Sequence, residues 1–265
     1  MAIAYLAIIV LLWALQSRML YPAPQQTVPL IPGYSEVQLD TSDGLSLRAF
    51  YSQAEAGMPT VVYFHGNGGS LTGAGVSNAA LVDRGIGALL VEYRGYGGNP
   101  GEPSEEGLYR DGEAAIAWLE ARGIPLAQTV MIGNSIGSGV AVEMALRYDP
   151  AALILISPFT SLPDAAAANL WWLPAFSLVR DQYASKDKIK QLGLPVLVQH
   201  GTADNLIPHG QGLAMARAAP NGDFHSFEGE GHALSFIRSS GEARADWIEA
   251  LGLVEVDAQR LEALP

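Results

Sequence analysis

Gly133-Asn134-Ser135-Ile136-Gly137 sits between an apolar run, Thr129-Val130-Met131-Ile132, and a run of small and apolar residues from Ser138 to Leu146. The first run reads as a buried strand and the second as a helix. Strand, Gly-x-Ser-x-Gly, helix is the setting of a nucleophile elbow. A serine held in so sharp a turn tolerates no bulky Cβ two residues to either side, hence the glycines. The helix N-terminus behind the serine favours negative charge as it develops.

Working outward, apolar strands alternate with helical segments. Val37–Thr41 and Leu45–Phe50 alternate apolar and polar residues around Asp43-Gly44, the pattern of an antiparallel hairpin. Thr60–Phe64, Ala88–Tyr93, Ala152–Ile156, Pro195–His200 and Asp223–Phe227 read as further strands. Leu71–Arg84, Pro103–Arg122 and Ser235–Leu251 read as helices. This alternation predicts an α/β fold with a mainly parallel central sheet and helices on both faces. Ligands of such sheets sit at the carboxyl ends of the strands.

Three loops stand at those ends. His65-Gly66-Asn67-Gly68-Gly69 follows Phe64, and its glycines leave backbone N–H groups free for an oxyanion. Asn67 from this loop and Ile136 after the serine are the expected oxyanion donors. Asp204 lies shortly after the strand ending at His200, and His232 lies on the glycine-flanked loop after Phe227. The order Ser135, Asp204, His232 suits a triad in which His232 takes the serine proton and Asp204 orients the imidazole. Among the other histidines, His65 is expected to brace the oxyanion loop and His200 to be buried. His225 would project from a strand, and His209 would open a helix.

These motifs resemble the α/β hydrolases, and specifically the membrane-anchored α/β-hydrolase-domain proteins, a group that includes lipid and protein-thioester hydrolases. The resemblance rests on Phe64-His65-Gly66-Asn67-Gly68-Gly69, Tyr93-Arg94-Gly95-Tyr96-Gly97, Gly101–Leu108, the elbow, Ser157-Pro158-Phe159-Thr160-Ser161, His200-Gly201-Thr202-Ala203-Asp204 and Gly229-Glu230-Gly231-His232. It implies an α/β-hydrolase fold with a catalytic Ser135–Asp204–His232 triad. Asn99 departs from the pattern, which more often brings a serine nearby. Arg94 reads as an internal brace between two loops rather than an anion clamp.

The N-terminal stretch from Met1 to Leu15 carries no charged side chain. Extended through Leu20 as a helix, it approaches the thickness of a bilayer's hydrocarbon core. No Lys or Arg precedes it and no clear Ala-x-Ala site follows. Residues 1–21 are therefore expected to be an uncleaved single-pass membrane anchor rather than a signal peptide or a core helix. Arg18 and the free amino terminus favour opposite orientations, so the side of the catalytic domain stays open. Residues 22–36, broken by prolines, read as a linker, and 37–265 as the hydrolase domain with a short cap over 157–191. Trp171, Trp172 and Phe159 are the expected substrate-binding residues, and Trp171, Trp172, Leu173 and Phe176 are expected to line an acyl pocket or touch the membrane interface.

The chain has 265 residues, a net charge of −12 and no cysteine. That excludes disulfides, thiolate metal sites and a cysteine nucleophile, and the lack of a basic cluster argues against nucleic-acid binding. No cofactor and no metal is expected. The expectation is a serine hydrolase of small-molecule or lipid acyl esters or thioesters. A serine peptidase or acyltransferase would use the same triad, and a membrane-tethered binding module without catalysis is the reading from another class. A dehalogenase would want aspartate where Ser135 stands.

Overall fold

A computed structural model describes residues 2–170 and 172–253. The chain opens with α1 (Ala2–Leu20). Then follow β1 (Ser35–Asp40), β2 (Ser46–Ser52), β3 (Thr60–Phe64), α2 (Leu71–Val82), β4 (Gly87–Val91), α3 (Glu105–Glu120), β5 (Thr129–Asn134), α4 (Ile136–Tyr148) and β6 (Ala152–Ile156). Three short helices, α5 (Leu162–Asn169), α6 (Ala175–Leu178) and α7 (Ser185–Ile189), precede β7 (Val196–Gly201), α8 (His209–Ala218), β8 (Gly222–Phe227) and α9 (Arg238–Ala250).

The strands form one sheet in the order β1-β2-β4-β3-β5-β6-β7-β8. β1 and β2 pair antiparallel, β2 pairs antiparallel with β4, and the rest is parallel. This is the α/β-hydrolase fold that the alternation and the motifs predict. The hairpin turns at Gly44 (φ +87), a conformation that glycine adopts without steric cost.

The parallel strands are apolar throughout because both faces are covered. Val62, Phe64, Met131, Leu153 and Leu155 face a core shared with α3, α4, α7 and α8. Their neighbours Val61, Tyr63, Val130, Ile132 and Ile154 face the opposite core, closed by α2 and α9. Ser70 and Ser104 cap α2 and α3, accepting from the N–H groups of Gly73 and Gly107.

Strand order runs outward from β3 in both directions, with β4 on one side and β5 on the other. A crevice therefore opens at the carboxyl ends of β3 and β5. The His65–Gly69 loop and Ser135 flank that crevice.

α1 has no buried residue, and it is long and apolar enough to cross a membrane by length and composition. Its C-terminal neighbour Tyr21 is buried. The final helix begins at Arg238 rather than Ser235, because a 3-10 turn over His232–Phe236 comes first.

Candidate active site

Ser135 occupies the sharp turn between β5 and α4 with φ 52° and ψ −119°. Backbone in this region costs a non-glycine residue on the order of 1–3 kcal/mol, so neighbours must hold it. Its N–H donates to the Ile156 carbonyl (2.9 Å), and its carbonyl accepts from the Ser138 N–H (2.9 Å) and the Ser138 hydroxyl (2.5 Å). The two glycines are required by space. A Cβ on Gly133 would stand 2.4 Å from the Gly137 carbonyl oxygen, and one on Gly137 would stand 2.1 Å from that of Phe64.

His232 Nε2 lies 3.0 Å from Ser135 Oγ, and His232 Nδ1 lies 2.8 Å from Asp204 Oδ2. The structure thus brings all three predicted residues together from loops far apart in sequence. The acid and base loops are laced to each other. Thr202 N–H donates to Phe227 (2.9 Å), Ala203 N–H to Glu230 (2.9 Å), and Gly229 N–H to Thr202 Oγ1 (2.8 Å). Gly201 permits this approach, since a Cβ there would stand 2.2 Å from the Glu230 carbonyl oxygen.

The Asp204 side chain is fully buried. Its Oδ1 accepts from the N–H groups of Leu206 and Ile207 (2.9 Å each). His200 Nε2 lies 3.1 Å from Oδ2 and 2.9 Å from the Ile207 carbonyl. Burial raises the affinity of Asp204 for its proton, but the hydrogen bonds from His200, His232 and Ile207 outweigh it. The carboxyl is held well below the ordinary carboxylate range and is ionised at neutral pH. Sequence reasoning expected His200 to be buried, as it is, but missed its bond to Asp204. The signal was its position four residues before the acid on the same strand end.

Ile136 is the first residue of α4, where an amide has no intrahelical acceptor. Asn67 is exposed on the facing loop, and among the described residues its N–H has no acceptor in the protein. Both residues line the cleft beside Ser135. His65 braces this loop, with Nε2 2.7 Å from Glu92 Oε1 and Nδ1 2.8 Å from the Gly66 carbonyl. Tyr93 donates to the His65 carbonyl (2.9 Å).

Arg94 lies away from the cleft. Its guanidinium donates to Asp111 (2.8 Å) and Asp43 (2.8 and 3.2 Å), tying α3 to the β1–β2 turn. Burial lifts the Asp111 carboxyl to about 6 despite that contact. Asn99 binds the β2 backbone, accepting from the Arg48 N–H (2.8 Å).

The cleft above Ser135 encloses about 330 Å³. Its wall is Phe159, the α5–α6 segment and one side of α1, and among the described residues its polar lining is Gln16, Asn67, Ser135 and Asn169. Phe159 stands in the wall. Trp172 does not: it is exposed, 6.5 Å from the Tyr5 ring, because the turn between α5 and α6 aims it at α1. Leu173 lines the cleft together with Leu162, Leu170 and Leu178, whereas Phe176 is exposed and stands outside the lining. Trp171 lies outside the described residues. Among the described residues no group of three His, Cys, Asp or Glu is placed to hold a metal ion.

Residues 57–189 match the family model described as serine aminopeptidase, S33. An uncharacterised protein of Mycobacterium tuberculosis is 37% identical over 222 residues, covering 80% of this chain and 79% of that protein. Alpha/beta hydrolase domain-containing protein 17B of Homo sapiens is 35% identical over 160 residues, covering 59% of this chain and 54% of that one. The crystal structure of an alpha-beta hydrolase from Vibrio vulnificus superposes with a TM-score of 0.73 at 24% identity, over 89% of this chain and 92% of that one. A Pyrococcus furiosus esterase superposes with a TM-score of 0.67 at 17% identity, over 87% of this chain and 96% of that one. Elbow, sheet order and sequence agree: the chain belongs to the serine aminopeptidase S33 family and is an enzyme of the α/β-hydrolase type.

Proposed function

We propose that the protein is a membrane-tethered serine hydrolase that cleaves acyl esters or thioesters through an acyl-enzyme. The observation that carries this is Ser135 Oγ at 3.0 Å from His232 Nε2, with Asp204 at 2.8 Å on the far side of the ring, at the floor of an apolar cleft. His232 takes the Ser135 proton as the hydroxyl attacks the acyl carbon. Asp204 keeps the remaining proton on Nδ1 and stabilises the imidazolium. The tetrahedral oxyanion is received by the amides of Ile136 and Asn67, the former at the positive end of α4. His232 then protonates the leaving group, and water, deprotonated by the same ring, releases the acid.

The family description names an aminopeptidase, yet the cleft favours an acyl chain. An aminopeptidase must bind a substrate ammonium, and among the described residues lining the cleft there is no carboxylate. The lining suits a hydrocarbon chain instead. α1 is the tether in this reading, with Ile3, Leu6, Val10 and Leu11 turned outward to lipid.

The test is fluorophosphonate labelling of the full chain beside Ser135→Ala and His232→Ala, with p-nitrophenyl esters of graded length and aminoacyl p-nitroanilides as substrates. Labelling abolished by both substitutions, with esters preferred, is the expected result. An unlabelled wild-type chain that turns over no ester refutes the proposal, and a preference for the anilides refutes its substrate class.

A further inference from the structure

α1 touches the domain at more points than a tether needs. It runs alongside residues 172–183 of the segment that covers the cleft, in the same direction. The Tyr5 hydroxyl donates to the Trp172 carbonyl (3.0 Å) near one end. At the other, the Tyr21 hydroxyl meets Asp181 Oδ2 (2.7 Å) and the Tyr183 hydroxyl (2.9 Å) in a buried cluster. Midway, Gln16 clasps the strand-like backbone after α6: its Nε2 donates to the Leu178 carbonyl (3.2 Å) and its Oε1 accepts from the Arg180 N–H (2.9 Å). The Arg180 guanidinium lies 3.8 Å above the Trp13 ring. Together these contacts fix the rotation of the helix about its own axis, a degree of freedom that a tether leaves open.

The rotation has a consequence for the site. Leu12, Trp13, Gln16, Met19 and Leu20 form one face of α1, and all five line the cleft that holds Ser135. From Leu20 back to Leu12 the helix rises about 12 Å, so the wall follows a chain well away from the reacting carbon. The stripe Ile8, Leu11, Leu15 on another side lines nothing and is exposed.

We infer that α1 is a wall of the acyl site as well as an anchor, and that Gln16 docks it there so that a long acyl chain reaches Ser135 directly from the lipid phase. The inference rests on the acyl-hydrolase reading above. It makes Leu12, Trp13 and Met19 determinants of chain length.

The experiment uses the full chain in detergent micelles with p-nitrophenyl butyrate and palmitate, and fluorophosphonate labelling of every variant. Gln16→Leu keeps the helix apolar but removes both docking bonds, and Trp13→Ala opens the wall; Leu11→Ala alters the outer stripe. The palmitate-to-butyrate ratio of kcat/KM is expected to fall about tenfold or more in the first two, the scale on which apolar pockets discriminate, and to stay put in the third. A second readout needs no change in rate. The chain has no cysteine, so Leu12→Cys and Leu11→Cys each carry a single thiol. A long-chain alkyl fluorophosphonate on Ser135 is expected to slow maleimide capture at position 12 and not at 11. Labelled variants with an unchanged ratio, or equal capture at both thiols, overturn the inference and leave the hydrolase reading intact. A wild-type chain that neither labels nor turns over ester overturns both.

Discussion

Replacing Asp204 with asparagine tests the charge logic of the site with almost no change of shape. Oδ1 accepts two backbone N–H groups at 2.9 Å, so the amide oxygen must take that position. The reverse rotamer would set an NH₂ group against two donors in a fully buried site. The NH₂ of the introduced amide then faces His232 Nδ1, which must accept rather than donate. The ring's proton moves to Nε2, facing Ser135, where it can no longer receive the serine proton. The same tautomer trap in a serine-protease triad costs about 10⁴ in kcat, or about 5.4 kcal/mol of activation free energy. Stability should fall less. His200 loses Asp204 but keeps the Ile207 carbonyl at 2.9 Å. With about 2 kcal/mol lost, Tm drops by roughly 4–8 °C for a chain of this size. The assay is p-nitrophenyl butyrate turnover with thermal melting on the same samples, His232→Ala marking the floor. A loss in kcat below about 100-fold, with the fold intact, would refute the tautomer argument.

Other outcomes follow from the same contacts. The Asp204 pKa is depressed in the folded protein, so its contribution to stability is present above the unfolded value near 3.8 and is lost as pH falls below it. Thermal melts from neutral pH down to about pH 3 should show this decline, and Asp204→Asn should flatten it. Gly137→Ala drives a Cβ to 2.1 Å from the Phe64 carbonyl oxygen and 2.7 Å from that of His65. It should cost about 3 kcal/mol or more and separate the elbow from the oxyanion loop, read as a lower Tm and lost fluorophosphonate labelling. Arg94→Lys cannot make both the Asp111 and the Asp43 contacts. It should destabilise by about 3 kcal/mol while the protein that remains folded keeps its KM for esters; a raised KM would return Arg94 to the role of substrate clamp.

Much of this was readable because glycine and apolar residues carry local physics. Continuous apolar strands announce a sheet buried on both faces, and Gly133 and Gly137 announce a turn in which any Cβ would strike backbone. Position at strand ends then sufficed to select Ser135, Asp204 and His232, whose imidazole lies within hydrogen-bond distance of the other two. Contacts set by packing between distant segments were not readable. Nothing in the composition of Trp171-Trp172 tells that Trp172 turns toward α1 rather than into the cleft. The His200 bond to Asp204 depends on how β7 delivers a buried ring to its own loop.

Gln16 shows why α1 could only be half read from sequence. α1 is apolar up to Leu15, and the amide of Gln16, followed by Ser17 and Arg18, is unfavourable in lipid and unexplained by an anchor alone. Its meaning appears once residues 178 and 180 are seen to present a carbonyl and an N–H at the spacing of a side-chain amide. A polar group that conflicts with its own helix but fits a distant backbone specifies an orientation rather than an affinity, since water or headgroups would satisfy it as well. Orientation is what the cleft requires of α1: turning it by one residue, about 100°, would exchange the Leu12–Gln16–Met19 face for the Leu11–Leu15 face and leave Ser135 beside a differently shaped wall.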